Sequence, residues 1–151
     1  MNKHMKNIKF DFNDILIKPV TTTDISSRTE INPFDESGFL PLMTAPMDTV
    51  INGENQAIFV QAGIIPCQTR GIESGYDGFT AYSLKQFREK FINNGKVSVT
   101  SKILIDMANG HMIDLVVAIE EAKNIYGVEM ILMVGNIANP ETYGILSNAG
   151  A

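Results

Sequence analysis

The chain has 151 residues, of which 44% are hydrophobic and 19% are charged, and its formal net charge is −5 at pH 7. These fractions are typical of a globular protein with a buried core, so they exclude a disordered or collagen-like chain. The longest apolar runs, such as residues 130–134, are far shorter than the roughly 20 residues of a membrane-spanning helix. The acidic balance argues against nucleic acid as a partner, whereas a mononucleotide or dinucleotide needs only a few local donors.

Three lysines within residues 1–10 are followed by no apolar stretch, so we expect no secretory signal and take the cytoplasm as the location. Cys67 is the single cysteine, so no internal disulfide can form, which is in keeping with a reducing compartment. The two histidines, His4 and His111, are too few and too far apart to predict a metal site.

Short apolar segments alternate along the chain with helical patterns. The predicted strands are mostly continuous apolar runs, typical of strands buried on both faces of a parallel sheet. They are residues 40–44, 64–67, 79–82, 103–105 and 130–134. The predicted helices are residues 52–62, 83–94, 112–126 and 139 to about 150. Repeated βα units with short links predict the α/β fold class, either a barrel or a doubly wound sheet.

Capping residues mark the beginnings of two helices. Ser83 and Gln86 have the spacing of a capping box, and Asn139 is a predicted N-cap with Pro140 at the first helical position. The helix over residues 112–126 places its apolar residues on one stripe, which should face the sheet. The stripe is Leu115, Ile119, Ala122 and Tyr126.

The sequence contains neither the G-x-G-x-x-G pattern of dinucleotide-binding sheets nor the G-x-x-x-x-G-K pattern of phosphate loops. Their absence favours a barrel over a doubly wound sheet. A complete barrel has eight strands and typically about 250 residues. We therefore predict an incomplete (β/α)₈ TIM barrel with about the first five strands. Residues 1–151 would be the N-terminal portion of a single catalytic domain.

Five motifs follow one another along the chain. They are FDFNDILIKP at 10–19, SR at 27–28, LPLMTAPMDTV at 40–50, IDMANGH at 105–111 and GNIANPE at 135–141. In this order they resemble the IMP dehydrogenase/GMP reductase family. Residues 45–50, APMDTV, are more similar to the IMP dehydrogenases, while residues 106–110, DMANG, are closer to the GMP reductases. Only residues 71–78 stand where dehydrogenases usually carry a long regulatory insertion, which favours a reductase-like chain, although insertion-free dehydrogenases also occur.

The resemblance implies cofactor-binding residues at two places. Asp106, Met107 and Ala108 match the stretch that contacts the nicotinamide riboside, at the end of a strand where barrel enzymes keep their sites. Alternatively, Asp106 simply caps the following helix. Ser27 and Arg28 match a contact to the dinucleotide phosphates from a neighbouring subunit, although a solvated pair is the other interpretation.

Met47 and Asn136 match positions that contact the purine nucleotide. The alternatives are that Met47 fills the core and that Asn136 only satisfies backbone groups. The sequence departs from the family after the second predicted strand, where Thr69 replaces a lysine and only Arg70 is available as a substitute. Cys67 is interpreted as a buried strand residue, because the family's nucleophilic cysteine lies on a later loop that this sequence does not reach.

The implied activity is hydride exchange between C2 of a purine mononucleotide, GMP or IMP, and NADP or NAD. In the family a cysteine thiolate attacks C2 and splits the substitution into two easier steps. No catalytic residue is assigned within the chain, so we expect no turnover from it alone. The resemblance also implies a homo-oligomer, a tetramer. A second hypothesis is a non-catalytic half-barrel that binds a partner chain or a nucleotide.

Overall fold

The computed structural model describes residues 12–99 and 102–151. The N-terminal lysines, His4 and the first two residues of the motif at 10–19 lie outside these ranges. The chain divides into two compact units, Met1–Asn32 and Pro33–Ala151. In the described part of the first unit, the helical elements are two short 3₁₀ helices, Phe12–Asp14 and Arg28–Glu30.

The second unit is built on a four-stranded parallel sheet. Its strands are β1 (Cys67–Gln68), β2 (Phe79–Tyr82), β3 (Lys102–Asp106) and β4 (Leu132–Gly135), and they lie side by side in sequence order. All three pairings are parallel. The predicted α/β class is confirmed, and sequential parallel neighbours are compatible with part of a TIM barrel.

Four α-helices belong to the second unit. They are α1 (Gln56–Gln61), α2 (Leu84–Arg88), α3 (Ile113–Tyr126) and α4 (Pro140–Ala149). Both predicted caps are confirmed: Ser83 and Gln86 form a reciprocal capping box, and Asn139 accepts the backbone N–H of Thr142 at 2.8 Å. All four residues of the predicted α3 stripe are buried.

Each face of the sheet has its own core, because side chains alternate along a strand. Ile103, Ile105 and Leu132 pack with residues of α2, α3 and α4. On the second face, Cys67, Phe79, Ala81 and Leu104 form a smaller cluster, against which Met43 and Ile65 pack. This second face is the one that would line the interior of a closed barrel.

The prediction of a strand at residues 40–44 is wrong, because this segment forms only an isolated parallel bridge between Met43 and Ile65. The pairing stops after Ile65, because Pro66 faces β2, where its carbonyl oxygen accepts the Phe79 N–H, and the next N–H on this side of the strand belongs to Cys67. The Thr44 hydroxyl takes over, since it accepts the backbone N–H of Cys67 at 2.8 Å and donates to the carbonyl oxygen of the same residue at 3.3 Å. The described residues therefore contain four strands instead of five.

Two predicted helices also have different bounds. The helix predicted over residues 52–62 begins only at Gln56, because the side chain of Asn52 closes a turn by accepting the backbone N–H groups of Glu54 and Asn55. It ends before Gly63, whose φ of 73° is the left-handed conformation expected there. The helix predicted over residues 83–94 is α2 followed by one π-helical turn, Glu89–Asn93.

Candidate functional site

The carboxyl ends of parallel strands share one edge of the sheet, and most of the predicted site residues lie there. Asp106 ends β3 and pairs with Gly135, which ends β4. Met107 and Ala108 follow Asp106, and Asn136 follows Gly135. The sheet thus places the residues assigned to the cofactor next to one assigned to the purine nucleotide.

Arg70 approaches this edge from the loop after β1. Its Nη2 atom donates to the Asp106 carboxylate at 3.1 Å and to the Asp106 carbonyl oxygen at 2.6 Å. The interpretation of Asp106 as a helix cap is wrong, because α3 begins only after Met112. Both side chains are partly exposed, at 46% for Arg70 and 35% for Asp106, so such a pair adds only about 0–1 kcal/mol of stability. Its main effect is to orient the two groups.

A cavity of about 650 Å³ opens beside this ion pair. Its walls are Arg70, residues 106–109 and parts of α2 and of the beginning of α3. Ser83 adds a hydroxyl group and Asn109 adds a carboxamide to the charged pair. The volume falls within the range of roughly 300–1,000 Å³ that is usual for small-molecule sites. Lys85, Arg88, Glu89 and Asp114 also line it, so the cavity combines several cationic donors and carboxylate acceptors with neutral polar groups.

Backbone hydrogen bonds tie the loop after β3 to the loop after β4. Met107 N–H donates to the Gly135 carbonyl at 2.7 Å, and Asn136 N–H donates to the Met107 carbonyl at 2.5 Å. Gly110 N–H donates to the Asn136 carbonyl at 2.7 Å. Among the described residues, the side chain of Asn136 has no hydrogen-bond partner. The interpretation that this side chain only satisfies backbone groups is therefore wrong.

Met47 lies in the turn after the Met43–Ile65 bridge. Its carbonyl oxygen accepts the backbone N–H groups of Val50 and Ile51. Its side chain is 53% exposed, so the interpretation of Met47 as a core residue is wrong. Neither Met47 nor Asn136 lines the 650 Å³ cavity. Their assignment to a nucleotide stays a prediction.

Ser27 and Arg28 belong to the N-terminal unit. Ser27 is the N-cap of the 3₁₀ helix Arg28–Glu30, and its hydroxyl accepts the backbone N–H of Thr29 at 3.3 Å. Both residues are exposed to solvent. The role that the resemblance gives them stays a prediction.

Cys67 is fully buried in β1, which confirms its interpretation as a strand residue. Burial, reinforced by the negative charge of Asp106, raises the pKa of Cys67 to about 12. A thiol with this pKa is protonated at neutral pH and is a poor nucleophile. Burial and the raised pKa therefore argue against Cys67 as the attacking thiolate.

His111 also belongs to this edge, which its position in the sequence does not indicate. Its ring contacts residues that follow β4, although it lies on the loop after β3. No spacing along the chain signals such a contact, because it depends on the two loops lying side by side.

Within residues 12–99 and 102–151, no helix is both long and apolar enough to cross a bilayer. The same residues contain no cluster of three or more side chains suited to holding a metal ion.

Comparison with known proteins identifies similar curated proteins. GMP reductases from Streptococcus suis strains 05ZYH33 and 98HAH33 are each 28% identical, over 94% of this chain and 48% of the relative. The GMP reductase of Streptococcus pneumoniae serotype 19F (strain G54) is 27% identical over the same shares. The resemblance to the IMP dehydrogenase/GMP reductase family is confirmed. The chain spans about half the length of these relatives. No family model matches it.

Proposed function

We propose that the chain forms part of the ligand site of a purine nucleotide oxidoreductase of the GMP reductase/IMP dehydrogenase kind. The reaction is hydride exchange between C2 of GMP or IMP and NADP or NAD, in the cytoplasm. The observation that carries the proposal is the Arg70–Asp106 pair on the wall of a 650 Å³ cavity at the carboxyl edge of the sheet. This is the edge at which barrel enzymes bind their ligands.

The groups on the cavity wall fit a nicotinamide cofactor. The Asp106 carboxylate is an acceptor suited to ribose hydroxyls, and its partner Arg70 keeps further N–H donors for a carboxamide or a phosphate. Met107 and Ala108 offer apolar contact next to these polar groups. The nicotinamide ring supplies the hydride chemistry when bound, while the protein binds and orients it. Ser27 and Arg28 would reach the cofactor phosphates of a neighbouring subunit in a tetramer.

The purine nucleotide would lie on the other side of the β3 end. Asn136 presents an exposed carboxamide without a partner among the described residues, which suits the polar edge of a purine or its ribose. Met47 presents an exposed thioether, which suits an aromatic ring face. Because Asn136 is bonded to Met107 through the backbone, the two ligands would bind side by side.

The test is calorimetric titration of the chain with NADPH, NADH, GMP and IMP, using Asp106→Asn and the control Asp77→Asn. Asp77 also forms an ion pair, with Lys102 at 2.9 Å, but at the amino end of β3. Losing a charged hydrogen bond, about 1.5–3 kcal/mol, should weaken binding of the better cofactor by roughly ten- to a hundredfold in Asp106→Asn. The nucleotide affinity of Asp106→Asn should change little. In the control Asp77→Asn, both the cofactor affinity and the nucleotide affinity should change little. Equal losses for cofactor and nucleotide would contradict the assignment.

A second candidate function is binding of a partner chain that continues the sheet. β4 is the last strand of the described sheet, and an apolar cavity of about 250 Å³ lies between it and α4. Ile131 and Tyr143 line this cavity and are more than half exposed. An uncovered strand edge with apolar surroundings is suited to accepting another strand.

Co-expression separates the two functions. The probe is the part of the Streptococcus suis GMP reductase that lies outside the match. Co-purification of the two chains with ligand binding only in the complex would favour the partner-binding function. Ligand binding by the chain alone, with no complex, would favour the first proposal.

A further inference from the structure

His111 lies on the loop after β3, and its ring bonds to two residues that belong to the next βα unit. The ring Nε2 atom accepts the backbone N–H of Ala138 at 3.0 Å. The ring Nδ1 atom lies 2.7 Å from the Thr142 hydroxyl oxygen. A third bond fixes the backbone, because His111 N–H donates to the Asn109 side-chain oxygen at 3.0 Å.

These contacts define the form of the ring. A backbone N–H can only donate, so Nε2 must be the unprotonated nitrogen. Nδ1 then carries the proton and donates it to the hydroxyl oxygen of Thr142. A doubly protonated ring would have no acceptor for Ala138. The geometry therefore requires the neutral tautomer with its proton on Nδ1.

The two bonds hold the residues on either side of the beginning of α4. Ala138 precedes the N-cap Asn139, and Thr142 is the residue whose backbone N–H that cap accepts. His111 is exposed to solvent, so packing alone does not fix its ring. Its orientation is set by the hydrogen bonds to Ala138 and Thr142.

We propose that His111 is a positioning residue, which holds the loop after β4 against the loop after β3 and so places Asn136 beside Met107. The role of this placement in ligand binding rests on the proposed function. Gly110 supports the same contact, because a Cβ atom there would lie 2.6 Å from the Asn136 carbonyl oxygen. The close approach leaves the ring of the next residue, His111, within reach of Ala138 and Thr142.

The first test needs no substitution and no ligand. Two-bond ¹H–¹⁵N correlation spectra of the ¹⁵N-labelled chain at pH 7 report which ring nitrogen carries the proton. We expect a protonated Nδ1 and a pyridine-like Nε2. A proton on Nε2 would overturn the proposal, since Ala138 would then have no acceptor.

The second test uses His111→Ala and His111→Gln with amide hydrogen exchange. The Gln carbonyl oxygen lies near the position of Nε2 and can accept from Ala138, whereas Ala cannot. Losing a hydrogen bond of about 1.4 kcal/mol corresponds to a tenfold change, so the Ala138 amide should exchange roughly ten times faster in His111→Ala. His111→Gln should restore most of this protection. Unchanged exchange in His111→Ala would overturn the proposal.

Two controls make the outcome specific. The amides of β3 report global unfolding, and their protection should be the same in both variants as in the unsubstituted chain. GMP affinity should fall roughly three- to tenfold in His111→Ala and recover in His111→Gln. If GMP binds but its affinity is the same in all three chains, His111 does not position Asn136. If GMP does not bind at all, the proposed function fails, while tautomer and exchange still decide the role of His111.

Discussion

The backbone N–H of Asn136 donates to the carbonyl oxygen of Met107, at 2.5 Å, where β3 and β4 give way to their loops. The resemblance assigns Met107 to the cofactor and Asn136 to the purine nucleotide. One hydrogen bond thus joins the two halves of the candidate site. A displacement of either loop is expected to change binding of both ligands.

Gly110 provides a direct test of this contact between loops. In Gly110→Ala, the new Cβ atom would meet the backbone oxygen of Asn136 at 2.6 Å, so the loops must separate. We expect a loss of about 1–3 kcal/mol in the free energy of unfolding, measured in urea. The control is Gly144→Ala in α4, where a Cβ atom meets nothing within 4 Å and should stabilise by about 0.4–1 kcal/mol. Equal effects of the two substitutions would contradict the close approach.

Arg70 tests whether the ion pair acts on ligands rather than on stability. Arg70→Met should reduce cofactor affinity roughly tenfold, while the melting temperature changes little, because an exposed pair is worth about 0–1 kcal/mol. Arg70→Lys should not restore affinity, since an ammonium group lacks the planar fork of a guanidinium. Lys102→Met, which breaks the ion pair with Asp77, is the control. Cofactor affinity in Arg70→Lys equal to that of the unsubstituted chain would show that only the charge matters.

Cys67 should make stability depend on pH in the alkaline range. Its pKa is raised from 9.0 to about 12 in the folded chain. The contribution of the thiol to the free energy of unfolding is therefore fully present below pH 9. It should be lost as the pH rises from about 9 to about 12, because the unfolded thiol ionises while the buried one stays neutral. The difference in unfolding free energy between the unsubstituted chain and Cys67→Ala, measured across this range, isolates the effect.

Thiol labelling gives an independent check on Cys67. Ellman's reagent at pH 7 should react slowly with the folded chain and rapidly in urea. Rapid labelling of the folded chain would show that the thiol is accessible and would reopen its exclusion as a nucleophile.

The open side of β4 should make the chain self-associate. β4 contains no charged residue. Met133 within this strand is 39% exposed and Ile131 just before it is 51% exposed, so the strand edge is apolar and accessible. We expect size-exclusion chromatography at low micromolar concentration to show oligomers, and Met133→Lys to increase the monomer fraction. Val128→Lys, at a side chain that is 96% exposed in the turn after α3, is the control. A clean monomer with a sharp thermal transition would contradict this prediction.

Much of the fold could be predicted because its signals are local. The capping box at Ser83, the N-cap at Asn139 and the buried stripe of α3 each depend on residues within a few positions of one another. The strand at residues 103–105 was predicted from a continuous apolar run, and β3 contains it. Such patterns follow from the periods of helix and strand alone.

The failures involve polar side chains that take backbone hydrogen bonds away from the regular pattern. Residues 40–44 form only an isolated bridge because the Thr44 hydroxyl takes the N–H of Cys67, which would otherwise continue the ladder. The helix predicted from residue 52 starts late because the Asn52 side chain competes for the backbone of the first turn. Apolar periodicity does not register either effect.

The sequence by itself determined which chemical groups stand at the end of each strand or just after it, including Asp106 at the end of β3 and Asn136 after β4. Only the tertiary structure decided how these groups meet: Arg70 bonds to a residue 36 positions away, and His111 reaches Ala138 and Thr142. The physical reason is that a parallel sheet gathers the ends of all its strands at one edge. Contacts there depend on strand register and loop path, which no local pattern encodes.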